Sequence, residues 1–158
     1  MAIPHSFADR NVAVIGLGYV GLTLAVAMAD TGFRVHGVEK RAEVLDLLKQ
    51  GKPHFHESRL EEKLLRVQKS GRFTASQTLD PAEKFSVYII TVGTPLDKDG
   101  NARLDMAEAA TRQVVGHMQD GALVILRSTV KIGTTRNVVK PFLDRSGRSY
   151  QLAFCPER

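Results

Sequence analysis

The chain has 158 residues, 43% hydrophobic and 25% charged, the proportions of one globular domain able to bury a sizeable core. Its net charge of +5 comes from scattered lysines and arginines, and with no tryptophan and few aromatics to stack bases it argues against nucleic-acid binding. The apolar runs fall well short of the ~20 residues that span a bilayer. Residues 1–10 lack the apolar stretch of a secretory signal, and the single Cys155 fits a reducing cytoplasm.

Taken in order, the first strand is read at 11–15, the apolar run ending at Gly16, Gly18 and Gly21 and passing directly into a helix over 20–30. This is G-x-G-x-x-G where it has a mechanism. Gly16 permits a tight turn, Gly18 leaves room for a pyrophosphate, and Gly21 lets helix and strand pack closely while the helix N-terminus faces the anion. Gly32 is a plausible stop for that helix. A second strand at 34–38 delivers Glu39 about 20 residues beyond the glycines, where a ribose-binding acid belongs. Helices follow at 41–49 and 58–69, the latter with Ser58 and Glu61 spaced as a capping box. A strand at 73–75, a turn at Asp80-Pro81 and a strand at 86–91 come next. The loop 93–103 is long for a minimal connection and lies at a strand's carboxyl end, which makes it a site candidate. A helix at 106–118, a strand at 122–126, a helix at 134–143 and a strand at 151–154 complete the pattern. Strands alternating with helices predict an α/β fold: a Rossmann-like doubly wound parallel sheet of about six strands, with helices on both faces. One domain is expected over 1–158.

Assembled, these residues resemble the N-terminal NAD-binding domain of the UDP-glucose/UDP-N-acetylmannosamine 6-dehydrogenase family. The matching segments run along the whole chain: Val14-Ile15-Gly16-Leu17-Gly18-Tyr19-Val20-Gly21-Leu22, Thr94-Pro95, Ser128-Thr129-Val130 with Gly133-Thr134-Thr135, and Pro156-Glu157-Arg158. The stretch from Gly51-Lys52-Pro53 through His56-Glu57 to Leu60 is similar to the family's segment between the second and third helices. The resemblance implies NAD as cofactor and two successive oxidations of a UDP-sugar C6 hydroxyl to the uronate, through thiohemiacetal and thioester intermediates on a cysteine. In the family that cysteine and an assisting lysine lie beyond this domain, and Cys155 matches neither motif. The chain is therefore expected to be part of a longer enzyme whose central and UDP-sugar-binding domains are absent here, inactive alone. The resemblance implies a homodimer or higher homo-oligomer formed through the missing central region. An arginine, Arg158, follows Pro-Glu where UDP-glucose enzymes tend to carry an aromatic, so the resemblance leans toward UDP-N-acetylmannosamine over UDP-glucose.

Each candidate residue has a plainer alternative. Glu39 can accept both adenosine ribose hydroxyls and repel a 2′-phosphate, or it is an acid paired with a neighbouring base. Lys40 and Arg41 follow it, and either could favour a 2′-phosphate, which keeps NADP open beside NAD. By resemblance, the backbone of Tyr19 and Val20 faces the pyrophosphate. Thr94, after the fourth strand, is placed beside the nicotinamide half, or it is a turn residue before proline. Gly93 stands where the family commonly has proline. Thr129 is placed by resemblance near the nicotinamide and reacting carbon, its alternative being a helix cap. Glu157 is implied in orienting the hydrolytic water, its alternative being an ordinary salt-bridged acid. His54, His56 and Glu57 have no further ligand to complete a tetrahedron, so no metal is expected. Two other readings remain: a hydroxyacyl-CoA or phosphogluconate type of NAD-linked dehydrogenase, and a non-catalytic dinucleotide-sensing module.

Overall fold

The computed structural model describes residues 11–157. Residues 1–10, read above for a secretory signal, and Arg158, the end of the Pro-Glu-Arg segment, lie outside the described residues. Six strands, β1 (Asn11–Ile15), β2 (Arg34–Val38), β3 (Phe73–Ser76), β4 (Val87–Ile90), β5 (Ala122–Leu126) and β6 (Tyr150–Phe154), form one sheet. Their order is β3-β2-β1-β4-β5-β6 and every neighbouring pair is parallel. Five α-helices connect them: α1 (Tyr19–Thr31), α2 (Ala42–Lys49), α3 (Leu60–Lys69), α4 (Asp105–His117) and α5 (Lys140–Asp144). This is the doubly wound α/β fold expected from the alternation.

The central strand explains the layering. Val12 and Val14 of β1 pack with Leu22 and Val26 of α1, Val44 and Leu48 of α2, and Leu64 and Val67 of α3. The intervening Ala13 and Ile15 join Ala110 and Val114 of α4 and Leu143 of α5 on the other side. Because successive side chains alternate across a strand, a sheet covered on both faces needs this unbroken apolar run. Each fully buried Val, Leu or Ile contributes about 1.5–3 kcal/mol, so these two layers drive the fold. After β3 the chain crosses back to place β4 against the opposite edge of β1. The carboxyl ends of β1 and β4 therefore diverge, and open α/β sheets bind ligands in that crevice.

Local chemistry follows the sequence in most places. Gly32 adopts φ 116°, its N–H bonds the Ala29 carbonyl, and the Phe33 N–H reaches back to Met28, a Schellman ending for α1. Asp80 builds the expected turn, its Oδ1 accepting the Ala82 N–H. Residues 93–103 are not an open loop: a short antiparallel bridge joins Leu96 to Ala102, and Asp97 Oδ1 accepts two backbone N–H groups at the tip.

One expectation is corrected and one refined. Ser58 does not cap α3. Arg59 stands at φ 62°, a left-handed conformation that holds the preceding residues out of the helix, so α3 starts at Leu60 and no side chain caps it. The helix expected over 134–143 forms, with Thr135–Val139 wound as a π-helix that runs into the five-residue α5. Pro141 has no N–H to donate to the preceding turn, and the wider turn accommodates that gap.

The tightest point of the fold is the glycine turn. Gly16 stands at φ 97°, and a Cβ on Gly21 would lie 1.9 Å from the Gly16 carbonyl oxygen and 2.7 Å from Thr91 Oγ1. A glycine-to-alanine change inside a helix ordinarily stabilises by up to about 1 kcal/mol. Here the clash is with backbone and reverses the sign. Gly21→Ala is expected to lower stability by about 3 kcal/mol, the upper end for an overpacked site. Gly18→Ala, at φ −66° with no atom within 4 Å of the added carbon, meets no clash and should cost only about 0.5 kcal/mol, from placing alanine at the N-cap. Urea denaturation of both variants checks this, and equal midpoints would show that the contact carries no constraint.

Candidate cofactor site

A cleft of about 560 Å³ opens at the carboxyl ends of β1, β2 and β4, lined by Gly16, Gly18, Glu39, Arg41, Thr91 and Met106 among others. That volume lies within the roughly 300–1,000 Å³ of small-molecule sites. One wall is the glycine turn, one is the end of β2, and the far wall is α4 from Asp105 through Ala109 to Gln113. The cleft sits at the reversal in strand order.

The turn is held from below. Thr91, one residue past β4, donates its hydroxyl to the Gly16 carbonyl at 2.7 Å, with the Ile15 carbonyl at 3.1 Å. The Gly16 N–H bonds the Val38 carbonyl at 2.8 Å. Leu17, fully buried, folds over Gly37 of β2, where a Cβ would lie 2.6 Å from its Cδ1. Helix α1 then begins at Tyr19 with no side-chain cap, so its first turn presents unclaimed N–H groups beside the open space at Gly18. These features suit an anion approaching the backbone.

Tyr19 does not point into that space. Its hydroxyl donates to Glu57 Oε2 at 2.5 Å and its ring lies 4.9 Å from that of Phe55. The Glu57 carboxylate, by accepting this bond, pushes the phenol above its usual range. The side chain thus staples Glu57 and Phe55 to the start of α1, where the Tyr19 carbonyl accepts the Thr23 hydroxyl at 2.7 Å. In the same segment His54 meets Phe55 edge-on at 4.8 Å, with Nδ1 buried and unpartnered. Burial and the nearby Arg41 charge lower its imidazole, against a smaller opposing pull from Glu39.

Glu39 is 7% exposed, unusual for a glutamate, and every acceptor position is used. Its Oε2 takes the Leu17 N–H at 3.2 Å and Arg41 Nη2 at 3.0 Å. Its Oε1 takes the Arg41 N–H at 3.1 Å and Arg41 Nε at 3.0 Å. Burial alone pushes the carboxyl up, but the Arg41 guanidinium and N–H and the Leu17 N–H outweigh it and hold it below the usual glutamate range.

The remaining predicted residues gather at the ends of β4, β5 and β6. Thr94 Oγ1 donates to the Thr129 carbonyl at 2.7 Å, and Thr129 Oγ1 donates to the Glu157 carbonyl at 2.7 Å. Ser128, buried, donates to the Val92 carbonyl at 2.6 Å. The Glu157 carboxylate pairs with the Arg127 guanidinium, whose Nη1 also reaches the Cys155 carbonyl and Sγ at 3.4 Å. The structure thus joins Thr94, Thr129 and Glu157 into one hydrogen-bonded series, separate from the Gly16–Glu39 group. Among them, Val20 is half-buried in the first turn of α1.

Sequence reasoning missed Thr91, Leu17 and Arg127. A glycine inside a strand signals close backbone approach, so Gly37 was a clue to Leu17. Nothing local distinguishes Thr91 or Arg127, whose roles come from strands distant in sequence.

Comparison with known proteins agrees with this geometry. Residues 10–158 match the UDP-glucose/GDP-mannose dehydrogenase family, NAD binding domain. A UDP-N-acetyl-D-mannosamine dehydrogenase of Pyrococcus horikoshii is 34% identical over 152 residues, covering 94% of this chain and 36% of that protein. A GDP-mannose 6-dehydrogenase of Pseudomonas syringae is 34% identical over 158 residues, covering 93% of this chain and 36% of that protein. The solved UDP-N-acetyl-mannosamine dehydrogenase of Staphylococcus aureus superposes with a TM-score of 0.88 at 30% identity, covering 94% of this chain and 37% of that one. The chain spans little more than a third of the length of these relatives. By sequence and by fold, the chain belongs to the UDP-glucose/GDP-mannose dehydrogenase family and corresponds to its NAD-binding domain.

Proposed function

We propose that this domain binds NAD for the oxidation of a sugar nucleotide at C6, with UDP-N-acetylmannosamine as the favoured substrate and UDP-glucose as the alternative. The observation that carries the reading is the buried, ionised Glu39 at the end of β2, hydrogen-bonded to the Leu17 N–H of the glycine turn and lining the switch-point cleft. The backbone of Gly16, Gly18, Tyr19, Val20 and Gly21 cradles the pyrophosphate, and Glu39 accepts the adenosine ribose hydroxyls with Arg41 beside it. NAD bound there would supply the hydride acceptor for the oxidation. Thr94 and Thr129 stand at the nicotinamide half, and Glu157 orients the water for thioester hydrolysis. The nucleophilic cysteine, the UDP-sugar site and the contacts of a homodimer or larger assembly belong to parts of the enzyme outside this chain. No helix among the described residues is long and apolar enough to cross a membrane. An exposed, unpaired Cys155 suits a cytoplasmic setting.

Two outcomes follow. NAD at tenfold excess over its dissociation constant should stabilise the fold by about 1.4 kcal/mol and raise its melting temperature by about 3–6 °C. NADP should do so less. Glu39→Ala and Gly18→Ala should each remove most of the shift, the latter at little cost in stability because its new methyl meets only the ligand's space. Thermal melts check this, and no shift with either dinucleotide at millimolar concentration would sink the proposal.

The second concerns pH. Folding lowers the Glu39 pKa, so its ionised form favours the folded state. That stabilisation is complete above the unfolded value of about 4.3 and is lost as pH falls through the lower folded value. Wild type should therefore melt above Glu39→Gln at neutral pH, and the gap should close below about pH 4. A gap that persists or widens in acid would mean the carboxylate is not held ionised by its partners.

A further inference from the structure

We infer that Arg41 is a displaceable stand-in for the ribose and sets the domain's preference between NAD and NADP. This inference rests on the NAD reading above. An ionised carboxylate offers about four acceptor positions, and in Glu39 all four are taken. Two of the donors, the Leu17 and Arg41 N–H groups, are backbone and fixed by the turn and by the start of α2. The other two belong to the Arg41 side chain, and the fork places one on each oxygen: Nε on Oε1 and Nη2 on Oε2. A ribose diol also brings two donors, its 2′ and 3′ hydroxyls. Exchange is therefore two for two, one hydroxyl replacing one guanidinium N–H on each oxygen.

Exposure shows which group can leave. The Glu39 side chain is 8% exposed, whereas that of Arg41 is 48% exposed, so the guanidinium lies between the carboxylate and water. Arg41 can swing into solvent while Glu39 cannot. In the free domain Arg41 keeps the carboxylate ionised and aimed, and in the complex it gives up its place. The exchange costs affinity because a cationic two-point donor yields to two uncharged hydroxyl donors, which gives up the ion pair.

NADP meets a different balance. Its 2′-phosphate has no hydroxyl to replace the second N–H and is repelled by the carboxylate. The displaced guanidinium, together with Lys40 on the same cleft wall, counters the phosphate charge. Arg41 thus weakens NAD binding while supporting NADP, and its removal should widen the preference for NAD.

Isothermal titration of NAD and of NADP into the wild-type chain, Arg41→Met and Arg41→Lys tests this. Arg41→Met should bind NAD about fivefold more tightly, the upper end of what a half-exposed ion pair is worth, and NADP no more tightly than wild type. Arg41→Lys keeps the charge without the fork and should fall between for NAD. Circular dichroism confirms that the variants fold. If Arg41→Met binds NAD as wild type does or more weakly, the stand-in role is overturned while the NAD reading stands. If the wild-type chain binds neither dinucleotide, the NAD reading itself falls.

Discussion

The ligand end of the domain depends on one close approach, that of helix α1 to the turn it leaves. Gly21 comes so near the Gly16 carbonyl that no side chain fits between them, and Thr91 bonds that same carbonyl from β4. With α1 seated there, its uncapped N-terminus opens onto the crevice between β1 and β4. Leu17, carried by the same turn, is pressed over Gly37 and aims its N–H at Glu39. A single steric constraint thus sets both the uncapped amides of α1 and the orientation of an acid 22 residues away in sequence.

The charges around the cleft are arranged by backbone rather than by long side chains alone. Glu39 is held by two fixed N–H groups and covered by one mobile guanidinium, which leaves it ionised but guarded. The other predicted residues are ordered differently. The Thr94 and Thr129 hydroxyls are spent on carbonyls of neighbouring strand ends, and Arg127 ties Glu157 to the end of β5. That series fixes the ends of β4, β5 and β6 relative to one another.

Much of this was legible in the sequence because it is local. The apolar runs, the glycine spacing and the acid about 20 residues on identify the sheet, the turn and Glu39 without any structure. What stayed hidden depends on contacts between distant segments. Ser58 and Glu61 have the spacing of a capping box, yet Arg59 takes a left-handed conformation that local propensity disfavours. Thr91 and Arg127 carry no motif, and their partners come from β1 and from the chain after β6. Arg41 was visible as a neighbour of Glu39, but its two-point hold on the carboxylate is a matter of geometry.

The most direct test of where the dinucleotide sits is an amide chemical-shift titration of the isotope-labelled chain with NAD. Signals of Gly16, Gly18, Tyr19, Val20, Glu39, Arg41 and Thr91 should move in a saturable way, while those at the opposite end of the sheet, such as Arg34, Arg72 and Lys84, stay still. Saturable shifts confined to Arg34, Arg72 and Lys84, with the glycine turn unmoved, would contradict a cofactor site at the β1–β4 crevice.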